Sequence, residues 1–201
     1  MLLKNRMELK KYLEYLDKAV ITIPDSRKKF LNPLIDYLKS KNGNPIQLNF
    51  VCTHNSRRSQ LAQIWAQTAA DYYKVDCTAF SSGVEVTALN YRIVNALNIF
   101  GFGIEMPSGE NPVVEVNNSY RTIKCFSKLI EDQVNPKNSF AAVMTCSHAD
   151  ENCPLVIGME KRIALNYDDP GKFDGTASEA AIYLERSEQI ATEMFYLLGK
   201  L

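Results

Sequence analysis

The chain has 201 residues, of which 46% are hydrophobic and 23% are charged, and this length suits one domain with a sizeable core. Its 23 lysine and arginine residues balance 23 aspartate and glutamate residues, so no net positive charge favours nucleic acid as a partner. The chain has no run of about 18 consecutive apolar residues, and its charged start lacks the apolar centre of a signal peptide. We therefore expect a soluble, cytoplasmic protein that does not span a membrane.

Residues 1–44 are predicted to form a helical extension. Leucines recur at helical spacing from Leu9 onward. Asp25-Ser26 offers a cap for a second helix over residues 27–41, and a cluster of turn-forming residues follows that helix. We expect this extension to pack on the rest of the chain or to pair two copies as a homodimer.

From Pro45 onward, strands and helices alternate. In chain order the predicted elements are a strand over 46–51, a helix over 59–73, a strand over 77–81, a helix over 90–100, an apolar β-like run over 140–146 and a closing helix over 178–198. This alternation predicts an α/β domain over residues 45–201, with a parallel twisted sheet covered by helices on both faces. A hairpin over 113–116 and 122–126 is predicted at the edge of the sheet.

Cys52 directly follows the first predicted strand and precedes a helix. At such a position backbone N–H groups converge and the helix dipole is positive, which favours a bound anion and a thiolate. Arg58, six positions on, can hold two oxygens of a tetrahedral anion in its planar fork. Ser59 can donate a hydrogen bond to the thiolate, and Asn55 tolerates the left-handed backbone of a tight loop. The sequence therefore predicts an oxyanion-binding loop with Cys52 as its nucleophile.

Two side chains of this loop have more than one interpretation. His54 is either a general base or a peripheral, solvated contact of the anion site. Arg57 either adds positive potential near the thiolate or is exposed to solvent. The residues predicted to bind the oxyanion are Thr53, His54, Asn55, Ser56, Arg57 and Arg58.

Asp169 is the candidate general acid. Cysteine attack on an esterified phosphate requires a group that protonates the leaving oxygen. Asp169 is followed by Pro170, and a proline holds the preceding residue in an extended conformation that can aim its carboxylate at the site. The same Asp-Asp-Pro-Gly sequence is also typical of an ordinary turn.

The strand, the loop CTHNSRRS and the late Asp-Pro pair resemble the low-molecular-weight protein tyrosine phosphatases, over roughly residues 46–201. Within that superfamily the chain looks closer to a branch of arsenate reductases. This closer resemblance lies in the segments FSSGVE (80–85), VMTCSHADENCP (143–154) and DDPGK (168–172). The tyrosine phosphatases usually have tyrosines directly after the Asp-Pro pair, where this chain has Gly171 and Lys172.

The resemblance implies a low-molecular-weight phosphatase-like fold and a thioredoxin-coupled reduction of arsenate. Cys52 would attack arsenic, and Cys146 would attack the adduct, release arsenite and leave a Cys52–Cys146 disulfide. Cys153 would then form a disulfide with Cys146, which a thioredoxin-like partner would reduce. No cofactor is expected.

Two other functions are compatible with the same loop. A phosphatase acting on phosphotyrosine or on small phosphate monoesters needs Cys52, Arg58 and Asp169 but neither Cys146 nor Cys153. A non-catalytic module that binds oxyanions needs only the loop.

Some positions depart from the resemblance. His54 and Arg57 occupy positions at which the family commonly has glycine and cysteine. Some reductases of the branch bind potassium through a glutamate, and the matching residue here is Gln63, so we do not predict that ion. A zinc site is an alternative use of Cys146, His148 and Cys153, but their spacing is unusual for zinc and a fourth ligand is not evident, so no metal is predicted. Cys77 and Cys125 are interpreted as strand or core cysteines.

Overall fold

A computed structural model describes residues 8–152 and 157–201. The helices are α1 (Leu9–Ala19), α2 (Asp25–Ser40), α3 (Arg58–Tyr73), α4 (Tyr91–Ile99), α5 (Ser147–Asn152) and α6 (Glu179–Leu198). The strands are β1 (Ile46–Cys52), β2 (Cys77–Gly83), β3 (Val114–Asn117), β4 (Thr122–Cys125), β5 (Phe140–Met144) and β6 (Met159–Ala164). Short 3₁₀ turns lie at Val20–Thr22 and Pro170–Phe173. In the described part of the chain, no helix has the length and apolar character needed to cross a membrane.

The central sheet has four parallel strands in the order β2-β1-β5-β6, which confirms the predicted α/β architecture. All residues of β5 are buried, as is typical of a parallel strand covered on both faces. Val51 of β1 pairs with Met144 of β5, and Cys52 pairs with Gly83 of β2. The carboxyl ends of these three strands therefore meet, and ligands of open α/β sheets bind at such an edge.

The N-terminal extension packs into the same hydrophobic core as the rest of the chain. Tyr12 of α1 stacks on Phe100 with ring centroids 4.4 Å apart, and its ring centroid lies 5.9 Å from that of Trp65 in α3. Helix α2 packs against β6 and α6. The division into an extension over 1–44 and a domain over 45–201 stays a prediction.

The structure corrects two local expectations and adds one strand. Helix α2 begins at Asp25 with Pro24 as its N-cap residue and no side-chain cap hydrogen bond, so the predicted Asp25-Ser26 cap is wrong. The predicted hairpin forms, but β3 and β4 pair as a separate two-stranded sheet and do not extend the edge of the central sheet. Strand β6 was not predicted, since charged residues interrupt its apolar pattern, as is common at a sheet edge.

Candidate active site

Cys52 is the last residue of β1 and is 4% exposed. Its Sγ atom lies 3.0 Å from Oγ of Ser59, in the first turn of α3. The side-chain amide of Asn55 donates to that same Oγ at 2.8 Å, which leaves the Ser59 hydroxyl hydrogen free to point at the sulfur. Asn55 has the left-handed backbone that the sequence predicted, with φ of 45°. This arrangement supplies a hydrogen-bond donor to a thiolate at Cys52.

Backbone N–H groups of neighbouring segments donate hydrogen bonds to the Cys52 loop. The backbone N–H groups of Val84 and Glu85 both donate to the carbonyl of Thr53 at 2.9 Å. The backbone N–H of Lys128 donates to Oδ1 of Asn55 at 3.0 Å. A Cβ atom on Gly83 would lie 2.7 Å from the backbone of the loop, so the close approach of β2 requires glycine there. These contacts preorganise the loop before any anion binds.

The side chains of His54 and Arg57 have partners outside the loop. His54 is exposed and its Nε2 lies 3.1 Å from a carboxylate oxygen of Glu85. The Nε of Arg57 donates to the hydroxyl of Tyr183 at 2.8 Å, and its Nη2 donates to Asp174 at 3.0 Å. Arg57 thereby connects the loop both to α6, through Tyr183, and to the segment before it, through Asp174, and the sequence did not reveal these contacts.

Arg58 and Asp169 form an ion pair. Nη2 of Arg58 lies 2.9 Å from Oδ2 of Asp169, and its Nη1 donates to the carbonyl of Tyr167 at 3.1 Å. Nε of Arg58 is buried and has no hydrogen-bond partner among the described residues. Oδ1 of Asp169 accepts from the backbone N–H of Gly171 at 3.0 Å, so Asp169 also caps the 3₁₀ turn at Pro170–Phe173. The structure thus brings the predicted acid beside the predicted anion-binding arginine.

Cys146 lies two residues after β5 and next to the Cys52 loop. Its Sγ atom is 3.6 Å from Oγ1 of Thr53, the residue that follows Cys52. Oγ1 of Thr53 also lies 3.2 Å from Nδ1 of His148, and the backbone N–H of Ala149 donates to the Cys146 sulfur at 3.4 Å. The structure therefore brings together two of the three cysteines that the sequence assigned to a relay.

The third relay cysteine, Cys153, lies outside the described residues. The alternative zinc site includes it as well. Within residues 8–152 and 157–201, no three histidine, cysteine, aspartate or glutamate side chains are grouped so that they could hold a metal ion.

A cleft of about 420 Å³ opens beside these groups. Its lining includes Arg58, Cys146, His148 and Asp169, together with Arg27 from the N-terminal extension. Larger cavities of about 550 and 810 Å³ lie elsewhere in the described part of the chain, and no cysteine lines either of them. The cleft that Cys146 lines is therefore the candidate active site; Cys52 itself is buried and is not among the lining residues.

Cys77 and Cys125 lie away from this cleft. Cys77 pairs with Ile46 at the opposite end of β1 from Cys52, and Cys125 is fully buried in β4. Burial raises the pKa of each of these thiols to about 12. Both are therefore core cysteines with little thiolate at neutral pH.

We expect Cys77 and Cys125 to resist alkylation in the folded protein. With a pKa of about 12, roughly 10⁻⁴ of each thiol is ionised at pH 8, and burial also blocks the reagent. Mass spectrometry after iodoacetamide treatment should find both unmodified without denaturant and fully modified in guanidinium chloride. Rapid labelling of either thiol in the native state would contradict their assignment to the core.

A buried cysteine at the end of a parallel strand, followed by an anion-binding loop and a helix, defines the class of α/β enzymes with a cysteine nucleophile for oxyanions. No family model matches the chain. The chain is 30% identical over 138 residues to an arsenate reductase of Bacillus subtilis (strain 168), an alignment that covers 68% of this chain and 83% of that protein. It is 33% identical over 122 residues to an arsenate reductase of Staphylococcus aureus (strain Newman), covering 60% and 76% of the two chains. The chain belongs to the family of these arsenate reductases, the branch to which its resemblance to the low-molecular-weight protein tyrosine phosphatase superfamily pointed.

Solved structures of that superfamily share the fold. A low-molecular-weight phosphotyrosine phosphatase from Vibrio cholerae O395 superposes with a TM-score of 0.54 at 14% identity, over 77% of this chain and 95% of that one. A low-molecular-weight protein tyrosine phosphatase from Bacillus subtilis gives a TM-score of 0.52 at 15% identity, over 78% and 97%. At these identities the likeness concerns the fold alone.

Proposed function

We propose that this protein reduces arsenate to arsenite through Cys52, Cys146 and Cys153. The observation that carries the proposal is the position of Cys146, whose sulfur lies 3.6 Å from the hydroxyl of Thr53, beside the nucleophile Cys52. Hydrolysis of a phosphate ester requires no second thiol at this place. A reductase requires one, because the electrons that reduce arsenic come from thiols.

The proposed reaction transfers two electrons from sulfur to arsenic. The Cys52 thiolate displaces a hydroxyl of arsenate, which leaves as water, and forms a sulfur–arsenic bond. The Cys146 thiolate then attacks the Cys52 sulfur and a disulfide forms. The electron pair of the broken sulfur–arsenic bond stays on arsenic, which leaves as arsenite. Cys153 attacks Cys146, releases the Cys52 thiolate and leaves a Cys146–Cys153 disulfide.

The residues of the Cys52 loop have distinct proposed roles. The hydroxyl of Ser59, 3.0 Å from the Cys52 sulfur, stabilises the thiolate. Arg58 binds two oxygens of the anion, with its unpartnered Nε as one available donor. The backbone of Thr53, Asn55 and the other loop residues surrounds the remaining oxygens. The proposed contribution of His54 and Arg57 to anion binding is limited to their backbone, because their side chains contact Glu85, Asp174 and Tyr183.

A thioredoxin-like dithiol protein is the proposed reductant of the final disulfide. Cys153 follows Cys146 by seven residues, and helix α5 occupies the positions between them, so the proposed pairing of the two thiols requires that α5 unwinds. This chemistry requires a reducing compartment, so the proposed location is the cytoplasm. Pairing of two copies through the extension stays a prediction.

The test is a coupled assay. Purified protein receives arsenate, thioredoxin, thioredoxin reductase and NADPH, and loss of NADPH is followed by absorbance. We expect oxidation that depends on arsenate and that does not occur when phosphate replaces it, because phosphate cannot be reduced under these conditions. Absence of arsenate-dependent oxidation would refute the proposed reductase.

The same assay without thioredoxin tests the relay. We expect the protein to stop after one turnover with a Cys146–Cys153 disulfide, which alkylation and mass spectrometry would locate. A Cys52–Cys77 disulfide instead would contradict the proposed order of thiols, even if arsenate is reduced.

Hydrolysis of phosphate monoesters is the second candidate function. It is supported by the contact between Arg58 and Asp169, which puts a carboxyl group 2.9 Å from the arginine that would hold the phosphate. In this reaction Cys52 would attack phosphorus while Asp169 protonates the leaving oxygen, and water would then hydrolyse the phosphocysteine to release phosphate and free Cys52. We expect weak activity of this kind alongside arsenate reduction, because the loop accepts either tetrahedral anion.

A further inference from the structure

Arg27 is a residue of the N-terminal extension that reaches the cleft. We infer that Arg27 is a positioning residue for the active site, and that it fixes the segment 166–169 so that Asp169 can act as the general acid. The inference rests on the proposed roles of Cys52 and Asp169 in phosphate-ester hydrolysis. This inference gives the N-terminal extension a role at the active site, which the sequence did not indicate.

Each of the three guanidinium nitrogens of Arg27 donates one hydrogen bond. Its Nε and Nη2 donate to the two carboxylate oxygens of Glu193 at 2.8 and 2.9 Å. Its Nη1 donates to the backbone carbonyl of Asn166 at 3.2 Å. Glu193 belongs to α6 and is 2% exposed, so the pair is fixed from the interior of the protein. A bidentate pair of this kind sets orientation as well as distance.

Tyr167 connects the pair to the active site. The guanidinium of Arg27 lies over its ring, 4.9 Å from the centroid, and its hydroxyl donates to Glu193 at 2.8 Å. Burial and the adjacent Glu193 raise the pKa of Tyr167 well above its ordinary value, so this hydroxyl keeps its proton. The carbonyl of Tyr167 accepts from Arg58, the arginine that contacts Asp169.

The segment 166–169 is therefore held at two sides. On the sheet side, the backbone N–H of Tyr167 donates to the carbonyl of Thr145 at 3.1 Å. On the other side, Arg27 provides the hydrogen bond to Asn166 and the contact with the Tyr167 ring. Loss of Arg27 removes its contacts with Asn166 and the Tyr167 ring, and leaves the hydrogen bonds from Tyr167 to Thr145 and from Arg58 to Tyr167 and Asp169 in place. A small displacement of a general acid slows the reaction most for leaving groups that depend strongly on protonation.

The test compares two aryl phosphates. The phenol of p-nitrophenyl phosphate is acidic and leaves without much help, whereas that of phenyl phosphate leaves poorly without a proton from an acid. The main variant is Arg27→Met combined with Glu193→Gln, which removes the ion pair without leaving an unpaired buried charge. Arg27→Lys keeps the charge but loses the planar fork. The control is Tyr37→Phe on the same helix, which removes a 2.8 Å hydrogen bond to Glu160, a residue of β6.

We expect the double variant to lower kcat/KM for phenyl phosphate about 10-fold and kcat/KM for p-nitrophenyl phosphate by less than about 2-fold, because kcat/KM reports the step in which the phenol leaves, whereas kcat also contains the phosphocysteine hydrolysis that both substrates share. Arg27→Lys should recover part of the loss, and Tyr37→Phe should match the wild type on both substrates. Thermal unfolding would verify that each variant is folded at the assay temperature. A purely structural role for Arg27 predicts equal effects on both substrates, and equal effects, or no effect, in folded variants would overturn the inference. If the wild type turns over neither of the two aryl phosphates and does not reduce arsenate, the proposed function itself is refuted.

Discussion

Replacement of Cys52 with serine is expected to abolish arsenate reduction and phosphate-ester hydrolysis together. The loss should be at least about 10³-fold, because a serine hydroxyl at neutral pH is a far weaker nucleophile than a thiolate and cannot form a disulfide. The measurements are NADPH oxidation with arsenate and thioredoxin, and release of p-nitrophenol from its phosphate ester. Since serine is close in size to cysteine and Ser59 remains beside it, the thermal unfolding midpoint should change little.

The matched control is Cys125→Ala, a change at a buried cysteine in the hairpin sheet. We expect it to cost stability while leaving both activities per folded molecule unchanged, because Cys125 contributes to the core and not to the cleft. Substantial activity in Cys52→Ser would show that Cys52 is not the nucleophile. The loop would then be an anion-binding element only.

Replacement of Cys146 with serine is expected to separate the two activities. Continuous arsenate reduction should fall to background, because no thiol remains beside Thr53 to attack the sulfur of the Cys52 adduct. Hydrolysis of p-nitrophenyl phosphate should stay within about 2-fold of the wild type, because the proposed mechanism uses only Cys52, Arg58 and Asp169 for it. A serine hydroxyl at this position can still contact Thr53, which preserves the shape of the loop.

Two results would contradict this separation. Normal arsenate turnover by Cys146→Ser would show that another thiol resolves the adduct. A parallel fall of both activities would show that Cys146 supports the loop structure and would remove the basis for a relay. Cys153→Ser provides a further comparison, because its expected defect is a stop after the Cys52–Cys146 disulfide forms. Intact-mass measurement with alkylation distinguishes that species from the reduced protein.

The sequence predicted the parts of the site that depend on neighbouring residues. The strand before Cys52, the helix that contains Ser59 and the left-handed backbone of Asn55 all follow from local signals, and the structure contains each of them. The strand follows from its apolar run, and the helix from apolar residues at helical spacing, within about 15 residues. The hairpin strands were predicted in the same way, but their place relative to the central sheet was not, because pairing between distant strands leaves no local pattern.

Contacts across the chain were the part that the sequence did not reveal. The sequence did not indicate that the backbone at Gly83 approaches the backbone of Thr53 and Asn55 closely. Only the structure shows that a Cβ atom at this position would collide with the Cys52 loop. Arg57 lies in the predicted loop, yet its side chain contacts Asp174 and Tyr183, more than a hundred positions away. No periodicity or spacing in the sequence indicates such partners.

The sequence alone predicted the proposed nucleophile and its loop, because Cys52, Arg58 and Ser59 lie within eight consecutive residues and need only a strand and a helix to present them. The tertiary structure decided what surrounds them. The parallel pairing of β1 with β5 brings Cys146 to Thr53, and the packing of α2 against α6 brings Arg27 to Glu193 and the segment before Asp169. Both contacts join residues separated by 90 or more positions, and only the burial of a shared core brings such residues together.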